Sequence, residues 1–347
     1  VAELERGTLG LEPRPTSSQH LRLVAALDPA RHRSVVRRTA LAGPTERTVW
    51  TFWDRGAERM SPFYRLNVEG WQRLLGPGWR VEVLNLVDGD SRNVRNFVDA
   101  ADLPASFDRL SPVVQSDVVR LALLKKHGGV WMDASIVLLR TLDDICWRPL
   151  ADPDQDVVLA GFCNTGWGSD HLERKDCFES WFIAARRENA FVDEWRRIFV
   201  DYWSDRTVSS ASWAHPLFQS MDLSNFNRYG RDFRNYLLPH VAFRRVVEHD
   251  AVMKAIWRRN ILMRDAGDEA FYLTRVTGWE PQDVYAKLIE ERDTALADRL
   301  LATCLIKLTS SMVGRLADLS RADLLDDRHT LGSIYARLFA ASTDPAL

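Results

Sequence analysis

One stretch, residues 111–139, constrains the chain more than any other: SPVVQSDVVRLALLKKHGGVWMDASIVLL. Ser111 and Pro112 open a helix, with a polar residue at the N-cap and a proline where a missing N–H costs nothing. Val114, Val118, Leu121 and Leu124 recur at helical spacing. Lys125, Lys126 and His127 place positive charge in the last turn, and Gly128 suits the left-handed position that ends a helix. Residues 130–132 and 136–139 then read as a strand buried on both faces, opened in the middle by Asp133-Ala134-Ser135. An ionised carboxylate in an apolar strand is costly unless something pairs with it, so Asp133 is kept for chemistry or for a specific hydrogen bond. In open α/β sheets ligands bind beyond the carboxyl ends of the strands, where such a break puts its polar groups.

The flanking sequence supplies the rest of an α/β layout. Residues 49–53 read as a first strand, 62–75 as a helix and 79–86 as a second strand, with Gly76-Pro77-Gly78 turning between the last two. Followed by helix 112–126 and strand 130–139, this succession predicts a mostly parallel sheet with right-handed crossovers. Residues 157–162 read as a further strand, and 164–168 as a glycine-rich loop carrying Trp167. Residues 173–202 read as one helix, because Phe178, Trp181, Phe182, Ala185, Val192, Trp195, Ile198 and Phe199 fall at helical spacing. Residues 17–42 read as one or two helices, ended by Gly43-Pro44, and 207–240 as irregular. Residues 245–262, 281–302 and 321–341 read as helices.

The set Ser116-Asp117, Arg120, Leu124, Gly128-Gly129, Trp131 and Asp133-Ala134-Ser135 resembles the signature of the capsular-polysaccharide-synthesis type of glycosyltransferase. That group is similar to the DxD-containing sugar transferases of glycosyltransferase family 32 and to the catalytic domains of large clostridial toxins. Residues 48–53 (TVWTFW) resemble the family's first strand and 179–185 (ESWFIAA) a later block. The resemblance spans residues 46–145, continues over 178–200 and touches Lys307-Leu308-Thr309. It implies an α/β GT-A fold, a Rossmann-like, mostly parallel sheet flanked by helices. The implied layout is an N-terminal helical extension over 1–45, a nucleotide-sugar-binding core over 46–245 and a helical region over 246–347 that completes the site.

Carried over by position, Asp133 matches the first aspartate of the DxD motif, which holds the donor ribose and the Mn²⁺ or Mg²⁺ on its diphosphate. Ser135 stands where the second aspartate is usual, and a hydroxyl is the weaker ligand for a hard cation. Ser135 is with Asp133 the expected metal pair, and two arrangements are open: a metal held by Asp133, diphosphate, water and a distant residue, or a diphosphate neutralised by Arg and Lys instead. The resemblance makes Asp133, Asp117 and Arg120 the catalytic set. Trp53, with Thr51 and Phe52, would receive the nucleobase, where an aromatic face can stack. Ser116, Gly129, Ala134 and Lys307 complete the expected donor site. Each has a plain alternative: an i, i+3 ion pair for Asp117 and Arg120, an Asx turn for Asp133, core packing for Trp53, a solvated lysine for Lys307.

The implied reaction, of the hexosyltransferase type, moves a sugar from a UDP- or GDP-sugar to a hydroxyl of a glycan or lipid-linked acceptor in surface or capsular polysaccharide assembly. The related families mainly retain anomeric configuration. Asp170, Glu173 and Glu179 are the candidate bases, and His215 is a lone histidine in a loop. The rival readings are a catalytically inactive sugar- or nucleotide-binding protein and a Rossmann oxidoreductase. The second would need G-x-G-x-x-G after the first strand, where this chain reads Trp53-Asp54-Arg55-Gly56-Ala57-Glu58-Arg59.

Lys and Arg total 46 against 48 Asp and Glu, a net charge of −2 that asks for no nucleic-acid partner. Cys146, Cys163, Cys177 and Cys304 lack the spacing of a zinc site or a disulfide framework. No apolar run reaches the ~18 residues of a membrane span. The expected location is cytoplasmic, with Arg31, Arg33, Arg37 and Arg38 as a candidate peripheral contact with the inner face of the cell membrane.

Overall fold

The computed structural model describes residues 29–41, 46–164, 177–228 and 231–341. A six-stranded sheet forms its centre. Its strands are β1 (Thr48–Phe52), β2 (Arg80–Leu84), β3 (Gly129–Met132), β5 (Leu159–Asn164), β6 (Cys177–Ala185) and β9 (Ile261–Asp265), in the order β2-β1-β3-β6-β5-β9. β1 lies parallel to β2 and β3, and β5 parallel to β9, whereas β6 runs antiparallel to both β3 and β5. Five strands therefore share one direction and β6 alone opposes them. Two ribbons flank the sheet: β4 (Ile136–Leu138) pairs antiparallel with β10 (Leu305–Lys307), and β7 (Asn227–Arg228) with β8 (Arg231–Asp232). The expected α/β class, with a mainly parallel sheet flanked by helices, is what the chain forms.

Helix α1 (Pro29–Leu41) packs on α7 (Ala251–Arg259), α2 (Pro62–Leu75) covers β2 and β4, and α3 (Pro112–His127) lies between the sheet and α5 (Ala190–Trp203). A short α4 (Arg148–Ala151) precedes β5, and α6 (Leu238–His249) packs on α5 and β6. Because α3 is sandwiched, Val118 to Leu124 are all buried, so the expected stripe widens to nearly the whole circumference. Ser111 takes the N-cap position but its side chain makes no capping hydrogen bond. Gly128 ends the helix with φ +66°. The break is compulsory at Gly129 as well: with φ +93°, a Cβ there would stand 2.6 Å from Thr48 O, so only glycine lets β3 meet β1.

The helix expected over 173–202 is wrong in its first half. Residues 177–185 are strand β6, buried on both faces, and the helix begins only at Ala190, where the Asn189 side chain caps Phe191 and Val192 N–H. A strand with no exposed face has no alternation, so its apolar residues mimic a helical spacing. The expected helix over 245–262 is likewise two helices, α6 and α7, followed by β9, the last strand of the main sheet. Residues 281–302 break into Pro281–Tyr285, a π-turn over Ala286–Glu290, and Thr294–Leu301; residues 321–341 form Arg321–Leu324 and Thr330–Ala341. The single strand expected over 130–139 is β3 and β4, parted at residues 133–135. The loop at 165–168, with Trp167, and residues 17–28 lie outside the described residues.

Candidate functional site

The order β2-β1-β3 reverses direction between β1 and β3, so their carboxyl ends open a crevice. Trp53 stands at the end of one strand and Asp133 at the end of the other. Asp133 is anchored by its own backbone: its N–H donates to Trp181 O at 3.0 Å, and its carbonyl accepts from Ile136 N–H at 3.0 Å.

Three side chains converge on the Asp133 carboxylate. Oδ1 accepts from Trp131 Nε1 at 3.0 Å and from Arg120 Nη2 at 3.3 Å, and Oδ2 accepts from Lys307 Nζ at 2.9 Å. Lys307 also donates to Ser135 Oγ at 2.7 Å. Arg120, buried in the middle of α3, joins the site to the sheet: Nη1 donates to Ser180 O at 2.6 Å, and Nη2 pairs with Asp117 Oδ1 at 2.9 Å. Its guanidinium lies 5.0 Å over the Trp131 ring. Asp117, Arg120, Asp133, Ser135 and Lys307 thus form one connected cluster, drawn from a helix, an interstrand loop and a distant strand.

The two carboxylates are held differently. Burial would raise the Asp133 carboxyl, but the charges of Lys307 and Arg120, with hydrogen bonds from Lys307 and Trp131, outweigh it and hold the group below the usual carboxylate range. For Asp117 burial wins: the carboxyl is pushed up to about 6 despite Arg120, with Asp133 adding to the rise. One of the pair stays ionised while the other titrates at about 6.

The other sequence-predicted residues divide. Trp53 is half-buried, packs 4.7 Å from the Tyr64 ring, and lines a cavity of about 700 Å³ with Asp54, Arg55, Arg59, Val87 and Pro112. Ser116 is half-buried beside Arg120, whose Nη2 approaches its hydroxyl at 3.4 Å. Thr51 and Phe52 are buried strand residues, and Phe52 belongs to the hydrophobic core rather than to the cavity wall. Gly129 sits at the opposite end of β3 from Asp133, where its role is packing against β1. Ala134 is buried, and its carbonyl accepts from Asn67 Nδ2. Glu179 is buried and pairs with His240 Nε2 at 3.2 Å; Asp170 and Glu173 lie outside the described residues. His215 packs on Tyr202 and Phe218 and accepts from Leu217 N–H, a structural role.

Sequence reasoning missed two positioning residues. Asn67 Nδ2 donates to Ala134 O at 2.9 Å, and Tyr335 Oη donates to Asn67 Oδ1 at 2.6 Å, fastening the loop at 133–135 to α2 and to the C-terminal helix. A polar Asn67 on the apolar stripe of Phe63, Leu66 and Trp71 was the available signal. Trp71 Nε1 assists by donating to Ile136 O at 2.9 Å.

The fit of a divalent cation can be judged from the donors. A hard cation takes six or more oxygens, and Mg²⁺ draws them from one or two carboxylates, substrate phosphates and several waters. Here one carboxylate and one hydroxyl face the site, and both already receive an ammonium. Among the described residues no group of three or more His, Cys, Asp or Glu side chains could hold a metal. The side chains here therefore offer Mn²⁺ or Mg²⁺ one carboxylate and one hydroxyl, both already hydrogen-bonded to Lys307.

A family model described as "Capsular polysaccharide synthesis protein" matches residues 33–221, more than half of the chain. The chain belongs to that family. It is 29% identical over 328 residues to the O-glycosyltransferase braB of Annulohypoxylon truncatum, covering 83% of this chain and 76% of that protein. It is 32% identical over 267 residues to the glycosyltransferase afumC of Aspergillus fumigatus, covering 71% of this chain and 66% of that protein. A solved structure, the PaToxG glycosyltransferase, aligns over 90% of this chain and 94% of its own with 11% identity and a TM-score of 0.35, too distant to transfer any residue's role. The family and these relatives make glycosyl transfer the chain's class of activity.

Proposed function

We propose that the chain transfers a hexose from a nucleoside-diphosphate sugar, UDP- or GDP-linked, to a hydroxyl oxygen of an acceptor, with retention of anomeric configuration. The observation that carries the reading is the Asp117–Arg120–Asp133–Lys307 cluster at the end of β3, with Trp53 lining a cavity at the end of the neighbouring β1. Cleaving the bond from the anomeric carbon to phosphate leaves a charged nucleoside diphosphate, and preorganised cations in a water-poor site lower that barrier. Arg120 and Lys307 supply such charge, Asp133 orients both and faces the ribose and sugar hydroxyls, and Trp53 offers a stacking face to the base. In a retaining transfer the departing phosphate takes the acceptor's proton, so no separate base is required.

The names of the two relatives, one an O-glycosyltransferase, support an oxygen acceptor. A glycan or lipid-linked acceptor in surface or capsular polysaccharide assembly is the reading for this chain. No helix among the described residues is long and apolar enough to cross a membrane. A cytoplasmic protein touching the membrane's inner face is supported by Arg31, Arg33, Arg37 and Arg38, which lie on the exposed side of α1 while His32, Val35 and Val36 face inward. The test is release of nucleoside diphosphate from a panel of UDP-, GDP-, dTDP- and CMP-sugars, with glycan and polyprenyl-phosphate-linked acceptors. Acceptor-dependent release from one UDP- or GDP-sugar is expected. Release from none contradicts the reading.

A further inference from the structure

Lys307 stands where a divalent ion would have to stand. Its Nζ is 2.9 Å from Asp133 Oδ2 and 2.7 Å from Ser135 Oγ. A metal taking the same two oxygens at about 2.0–2.6 Å would occupy the ammonium's position. The other Asp133 oxygen is engaged by Trp131 and Arg120. Lys307 is also built in: the residue is 7% exposed, its N–H donates to Ala270 O at 2.9 Å, and pairing of β10 with β4 sets it opposite Ile136. Ser135 completes the pattern. Two cations, Arg120 and Lys307, face two carboxylates, Asp117 and Asp133. A third carboxylate at 135 would tip the cluster negative and call for a metal.

We propose that Lys307 takes the place of the metal, so that the donor's diphosphate is bound and its leaving charge neutralised without a divalent ion. This rests on the donor-site reading above. The bond between the anomeric carbon and the β-phosphate oxygen breaks, and its electron pair stays on that oxygen. The Lys307 ammonium donates a hydrogen bond to the phosphate and keeps its proton. The acceptor oxygen bonds to the anomeric carbon and its proton passes to the departing phosphate. A compact ammonium on a flexible stem can turn from Ser135 to a phosphate oxygen without leaving Asp133.

Calorimetry with UDP, GDP, dTDP and CDP and their monophosphates, in EDTA and then in Mn²⁺, tests this. The expected result is one diphosphate bound with the same affinity in both. Lys307→Met should weaken that diphosphate on the order of 10- to 100-fold, the loss of a charge-assisted hydrogen bond, and leave its monophosphate unchanged. Lys307→Arg should recover part of the loss. Binding only in Mn²⁺, or equal losses for mono- and diphosphate, overturns the proposal. The wild-type metal comparison decides even if Lys307→Met fails to fold. Binding of no nucleotide under either condition overturns the donor-site reading itself and this inference with it.

Discussion

The Tyr335 hydroxyl lies 2.6 Å from Asn67 Oδ1, and through that amide the C-terminal helix grips the loop bearing Asp133. Both side chains are almost wholly buried, and burial pushes the Tyr335 phenol up, so it stays protonated and donates. Tyr335→Phe should leave Asn67 Oδ1 without its donor and cost about 1–3 kcal/mol in urea unfolding. It should also weaken donor binding without altering which nucleotide is preferred. Unchanged donor affinity in a folded variant would show that the clamp does not position the loop.

Arg120 is the shared partner of both carboxylates, and its fork also reaches Ser180 O. Arg120→Lys keeps the charge but not the fork. The variant should lose on the order of 1–3 kcal/mol of stability and most donor affinity. Thermal melting and calorimetry would check both; wild-type behaviour in each would reduce the arginine to a point charge.

Asp117 gives a pH signature with opposite signs for folding and for function. Its carboxyl is raised to about 6 in the folded chain, chiefly by burial. The stability contributed by its neutral form is fully present below the ordinary carboxylate range and is lost as pH rises through about 6. Donor affinity should run the other way, falling as pH drops below about 6, because protonated Asp117 no longer pairs with Arg120. Asp117→Asn should remove both dependences. A variant that retains the acidic limb would assign it to another group.

Trp53 packs on Tyr64 and lines the cavity at the end of β1. If it stacks on the nucleobase, Trp53→Ala should cost about 1–3 kcal/mol of nucleotide affinity, and Trp53→Phe much less. Equal affinity in Trp53→Ala would return the ring to core packing.

The helix Pro112–His127 was legible almost to the residue because its boundaries are chemical: a proline that starts it and a Gly-Gly that no other residue could replace. Asp133 was legible because an unpaired acid has no place in a buried strand. Strand β6 was not, since Phe178, Trp181, Phe182 and Ala185 satisfy a helical period while lying on a strand with both faces covered. Nor could sequence spacing show that Lys307, 174 positions away, closes on Asp133. That contact exists only because β10 pairs with β4. Gly129 misled in the other direction: it lies within the motif, but its conformation serves the β1–β3 contact, a whole strand away from the site.

In the proposed function, Asp133 organises the nucleotide-sugar donor site. Asp133→Ala removes the group on which Arg120, Trp131 and Lys307 converge. Titrating wild type and this variant with the panel of nucleotide sugars, alongside a thermal melt, is the most direct measurement. One UDP- or GDP-sugar should bind wild type, and that binding should be lost in a folded Asp133→Ala. A variant that binds the donor as tightly as wild type would contradict that role for Asp133.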